Sequence, residues 1–86
     1  MNKLRRKSLA EVIAKLEELD SLRQEAMEML QEVIDEEQEA YDSMPESLQY
    51  SERGEQMQEY IDSMHGVYDD LDSVDVSSWT DTLGEI

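Results

Sequence analysis

Leu9, Val12, Ile13, Leu16, Leu19, Leu22, Ala26, Leu30, Val33, Ala40, Tyr41 and Met44 fall mostly three or four residues apart, and neither proline nor glycine interrupts them. That spacing matches the turn of an α-helix, so the chain is committed to one long amphipathic helix over residues 8–43. Ser8 is placed as N-cap, with Glu11 three residues on completing a capping box. Nothing in residues 3–7 breaks a helix, so an earlier start stays open. Pro45 is the stop, because it lacks the amide hydrogen a helix interior needs and pushes the residue before it out of helical geometry.

Residues 44–51 read as a turn, with room for a short helical turn over 45–49 and Ser51 as the next N-cap. A second amphipathic helix is expected over 52–73, from Met57, Tyr60, Ile61, Met64, Val67, Tyr68, Leu71 and Val74. Gly66 lies inside it and weakens it by about 1 kcal/mol relative to alanine. The tail, 74–86, is either a short third helix or irregular. It has Ser77 or Ser78 as cap, Trp79 and Leu83 as apolar anchors, and Gly84 as stop.

The chain is therefore read as one all-α domain, residues 1–86, in which two helices fold back as an antiparallel, coiled-coil-like hairpin. The two lengths do not match. Leu9, Ile13 and Leu16 are left over, to be covered either by the tail with Trp79 and Leu83 or by a second copy in a homodimer. At 86 residues the core is small enough to give dimerisation real weight.

At the turn, PESLQ (45–49) and SERGE (51–55) follow EEQEAYDSM and precede an M-x-x-x-I-D-S-M run. This resembles a group of small acidic two-helix proteins of Gram-positive bacteria and their phages. The likeness covers residues 2 to 64, and the end from Val74, including Trp79, departs from the usual heptad-like continuation. The resemblance implies a helical hairpin and a mobile-element setting. It brings no catalytic residue and no settled function. From the residues themselves, Arg53 is expected to pair with carboxylates near Glu39 and Asp42 beside the end of helix 1, and Gly54 to permit close approach to that helix.

Charge narrows the function. With 7 Lys and Arg against 23 Asp and Glu, the net charge is −16, which argues against direct binding of nucleic acid through a positive field. The distribution is polar along the chain. Lys3, Arg5, Arg6 and Lys7 make a +4 tip, whereas the remaining three cations face all 23 acids, a net of −20. The tip is expected to pair with the cluster Asp69, Asp70, Asp72 and Asp75, or with an acidic partner. Glu28, Glu32, Asp35, Glu36 and Glu39 on helix 1, and Glu55, Glu59 and Asp62 on helix 2, are the candidate partner-binding carboxylates. Tyr50 and Trp79 are the candidate aromatic contacts.

Two readings follow. In one, the carboxylates mimic nucleic acid and occupy the basic surface of a nucleic-acid-handling protein, as a phage or mobile-element inhibitor of a defence nuclease would. In the other, the chain is a structural or adaptor coiled-coil module that pairs through its apolar stripe, and the acids are a solvated face. Catalysis is not expected, for there is no Cys, one His, and no hydroxyl with a base beside it. No cofactor or metal is expected either. Asp62 and His65 form a single i, i+3 pair, and Asp70, Asp72, Asp75 and Asp81 fail as a calcium loop because Val74 stands at a ligand position and no glycine at the sixth. Neither a secretory signal nor a membrane-spanning stretch is read, since Glu11, Lys15, Glu17 and Glu18 break the segment after the basic start. A cytoplasmic protein without membrane contact is the expectation.

Overall fold

A computed structural model describes all 86 residues, Met1–Ile86, as four helices and no strand. These are α1 (Lys3–Asp42), α2 (Glu46–Gln49), α3 (Glu52–Asp72) and α4 (Val76–Gly84). They make an extended rod of 68 × 14 × 13 Å measured over Cα atoms. α1 is the spine and both α3 and α4 pack against it. No helix is long and apolar enough to cross a membrane.

α1 starts five residues before the expected position. Asn2, not Ser8, is its N-cap: Oδ1 accepts a 2.8 Å hydrogen bond from the Arg5 amide, and Ser8 lies exposed within the helix. With no breaker in residues 3–7, the helix runs on to the first residue able to cap it. α1 ends at Asp42, and Pro45, in an extended conformation, becomes the N-cap of α2.

The elbow is tied at several points. Gln49 Nε2 donates to the Tyr41 carbonyl at 3.0 Å, and Ser51 Oγ donates to the Leu48 carbonyl while accepting from the Gly54 amide at 3.4 Å. Gly54 is buried here, and a Cβ on it would lie 2.6 Å from both the Gln49 carbonyl carbon and the Leu48 carbonyl oxygen. The close approach it permits is thus to the backbone of α2, not to α1. Arg53 makes no ion pair, which corrects the expected contact with Glu39 and Asp42.

The inward row of α1 is Leu9, Ile13, Leu16, Asp20, Arg23, Met27, Leu30, Ile34, Glu37 and Tyr41, continued just past the helix end by Met44, all buried or half-buried. Its steps alternate between four and three, the 3.5-residue repeat of helices that wind round one another to the left. α3 answers with Gly54, Met57, Ile61, Met64, Tyr68 and Leu71, and α4 with Val76, Thr80 and Leu83. Ile34 and Ile61, each 2% exposed, are the deepest side chains of their helices. Ile34 is absent from the apolar series expected to face inward, whereas Val12, Leu19 and Val33 in that series stand half-exposed outside the row.

The tail does form a helix. α4 lies along the first part of α1, and Leu83 with Gly84 and Ile86 meets Arg6, Leu9, Ala10 and Ile13 round a small notch. Asp75 caps α4, in place of Ser77 or Ser78, because its carboxylate takes both the Ser77 hydroxyl at 2.9 Å and the Ser78 amide at 3.2 Å. Trp79 is 48% exposed and is no core anchor; Val76, Thr80 and Leu83 face inward instead. The basic tip lies beside the end of α4 rather than the Asp69–Asp75 cluster, with which it makes no ion pair.

Candidate functional site

Of the three polar side chains in the inward row, Asp20, Arg23 and Glu37, the first two are adjacent and joined. Arg23 Nε donates to Asp20 Oδ1 at 2.8 Å, and Arg23 Nη1 donates to the Leu71 carbonyl at 2.8 Å and approaches Met27 Sδ at 3.2 Å. The Leu71 carbonyl belongs to the last turn of α3, whose carbonyls lack partners within the helix and carry the negative end of its dipole. No basic residue of α3 itself occupies that turn. Arg23 therefore supplies from α1 the cation that α3 lacks.

This bond also sets the register of the two helices. Eleven residues on from Arg23 is Ile34 and ten back from Leu71 is Ile61, so at about 1.5 Å per residue the two deepest side chains fall at one level. The Arg23 guanidinium holds the Asp20 carboxyl below its ordinary value, aided by Gln24, whose Nε2 donates to Oδ2 at 2.9 Å. Asp75 is likewise held down, first by the Ser77 hydroxyl and then by the Ser78 amide, while the Asp20 charge works against it. The joint between α3 and α4 thus lies against the Asp20–Arg23 pair.

Every carboxylate expected to bind a partner is exposed. Glu28, Glu32, Asp35 and Glu39 follow one another at steps of four, three and four, which stacks them in a single ridge along the second half of α1; Glu36 stands beside it. None of the five is in an ion pair, the two pairs in the molecule being Arg23–Asp20 and the exposed Lys15–Glu18 at 3.3 Å. Neutral glutamines brace the neighbourhood: Gln31 donates to Asp35 at 2.8 Å and Gln38 to Asp42 at 3.0 Å.

On α3 the steps repeat. Glu55, Glu59 and Asp62 continue a ridge that begins at Glu52, and Glu52, Glu55, Gln56 and Glu59 line a shallow polar depression. Glu52 joins the expected carboxylates, and its three-residue step to Glu55 is the sequence signal for it. The two ridges do not meet. Each occupies the side of its helix away from the inward row, so they run along opposite edges of the rod.

Tyr50 is exposed at the elbow, and Trp79 lies on α4 near the level of Leu16, about 40 Å away along the rod. The aromatic candidates thus belong to different ends of the molecule. No group of three or more carboxylate or imidazole side chains is placed to hold a metal ion. Comparison with protein-family models, curated proteins and solved structures finds no match to this chain.

Proposed function

We propose that this chain is a non-catalytic helical hairpin whose carboxylate ridges bind a basic surface on a nucleic-acid-handling protein. The observation that carries the reading is the ridge Glu28, Glu32, Asp35 and Glu39, exposed, free of ion pairs and fixed on a continuous helix. A charge of −16 spread over 68 Å amounts to about one net charge per 4 Å. A single nucleic-acid strand carries one per about 3.4 Å and a duplex one per about 1.7 Å, so the rod stands closer to a single strand. A groove that tracks such a backbone would meet comparable charge on a scaffold that needs no ordering on binding. An inhibitor from a phage or other mobile element, aimed at a host defence protein, would use such a surface.

The second reading is a coiled-coil adaptor, favoured by one observation: Val12, Leu19 and Val33 form an apolar flank outside the inward row. The two readings separate experimentally. The immobilised chain is offered a bacterial lysate at low and at high salt, with and without single-stranded and duplex DNA as competitors, and the retained proteins are identified by mass spectrometry. The mimic predicts nucleic-acid-binding proteins retained at low salt, released by salt and displaced better by single strands. Retention of a helical protein indifferent to salt and DNA would favour the adaptor.

A further inference from the structure

The apolar flank has its own order. Val12, Leu19, Ala26, Val33 and Ala40 recur every seven residues on α1, one position before the inward residues Ile13, Asp20, Met27, Ile34 and Tyr41. On α3, Arg53, Tyr60 and Val67 hold the same place relative to Gly54, Ile61 and Tyr68, half-buried Val74 follows seven residues on between α3 and α4, and on α4 Trp79 precedes Thr80 in that way. In helices that run in opposite directions this flanking position lies on one common side, so both rows belong to a single long face of the rod. The register set by Arg23 and Leu71 puts Val33 level with Tyr60, Ala26 with Val67 and Leu19 with Val74. The opposite face carries Gln24, Gln31 and Gln38 with Gln58 and His65. One broad face is apolar and the other is not.

We propose that the apolar face is covered by a second copy of this chain, laid antiparallel to the first to make a four-helix bundle. Three observations favour a second copy over another occupant. The α1 row is symmetric about Ala26, and Val67 of α3 stands at the same level. A two-fold axis there sets Leu19 of one copy against Val33 of the other, and Val12 against Ala40.

The second observation is charge. The same axis brings residues 3–7 of one copy over residues 45–49 of the other, so the tip with Lys3, Arg5, Arg6 and Lys7 meets an elbow that carries Asp42, Glu46 and Glu52. The tip cations make no ion pair within their own chain. A parallel arrangement would stack tip on tip and elbow on elbow.

The third is area. The accessible surface is 6671 Å², against about 5,200 Å² for a compact chain of this mass. The excess of roughly 1,400 Å² exceeds the about 800 Å² that each partner gives to an interface of standard size. This assembly does not rest on the carboxylate reading, since the ridges lie along the edges and stay exposed in the bundle.

The test is light scattering with sedimentation equilibrium on the full chain, together with the variants Leu19→Glu and Val33→Glu made singly and combined. Both positions lie outside the inward row, so helical circular dichroism should persist. The expected result is a particle of twice 10.0 kDa that each single variant weakens at least tenfold and the combined variant converts to monomer. Orientation is read from cysteines introduced at Ser8 and Ser43 in separate chains. The mixture should form the mixed Ser8–Ser43 disulfide far faster than either chain alone forms its homodisulfide. A wild-type monomer at high micromolar concentration overturns the proposal, as does a dimer indifferent to both glutamates. Preferential Ser8–Ser8 linkage overturns the antiparallel arrangement.

Discussion

Arg23 reaches across from α1 to the carbonyl oxygen of Leu71, 48 residues later in the chain, and donates a 2.8 Å hydrogen bond to it. The same guanidinium holds Asp20 at 2.8 Å, so one side chain joins the spine to the end of α3 beside the cap of α4. In a row built mostly from interchangeable aliphatic and thioether groups, this is the side-chain hydrogen bond from α1 to α3 that distinguishes one helix register from the next. A polar residue at an inward position is known to specify alignment at some loss of stability.

Arg23→Leu should nevertheless cost roughly 1–3 kcal/mol, since it strips the Leu71 carbonyl of its charged donor, leaving only the Val74 amide at 3.3 Å, and leaves the Asp20 carboxylate without its cation. Arg23→Lys should recover only part of this, because an ammonium cannot span both acceptors as the planar fork does. Urea unfolding followed by circular dichroism checks both. An unchanged midpoint for Arg23→Leu would mean that the contact adds nothing.

Two glycines should respond with opposite signs. In Gly54→Ala the new methyl meets the backbone of Leu48 and Gln49, which cannot yield as a flexible side chain could, and a loss of roughly 1–3 kcal/mol is expected. Gly66 lies inside α3 with nothing within 4 Å of the added Cβ. Gly66→Ala should raise stability by about 0.5–1 kcal/mol through helix propensity alone. Thermal melts of the two variants side by side measure the contrast.

The pH response follows from Asp20 and Asp75. Both carboxyls are held below the ordinary value of 3.8 in the folded chain. A group depressed on folding contributes stability that is present above its unfolded value and is lost as pH falls through the folded one. Asp20→Asn combined with Asp75→Asn should be less stable than the wild type at neutral pH, and the gap should close as pH drops below 3.8. Asparagine keeps the ability to cap α4, which isolates the charge from the cap. Denaturant midpoints across a pH series give the comparison, and a gap that stays constant in acid would contradict the assignment.

Much of the fold was legible because its signals are local. The three-four spacing up to Met44, the block at Pro45 and the cap at Ser51 each act within a few residues, and so does the inward Leu83 of the tail, whereas Trp79 faces outward. What escaped depends on partners far along the chain. Apolar residues alone do not separate the strict heptad, which runs through Asp20, Arg23 and Glu37, from the flank through Val12, Leu19 and Val33. Ile34, the deepest residue of the spine, adjoins Val33, and three-four spacing alone does not say which of the two faces inward. Arg53 is unpaired, and the cation that caps a helix in trans is Arg23, which only the folded register brings to Leu71. Charge spacing along α1 identified the carboxylate ridge, whereas its separation from the α3 ridge needed the inward rows to be known.

Binding through the carboxylate ridge is read from the affinity of a protein retained by the chain from the lysate, titrated across a salt series against wild type and against Glu28→Gln, Glu32→Gln, Asp35→Asn and Glu39→Gln combined. Binding through the ridge predicts a steep fall in wild-type affinity with salt, a loss of at least about tenfold in the neutralised variant at low salt, and a shallower salt slope for it. Equal affinity and equal slope for the two chains would contradict binding through the carboxylates.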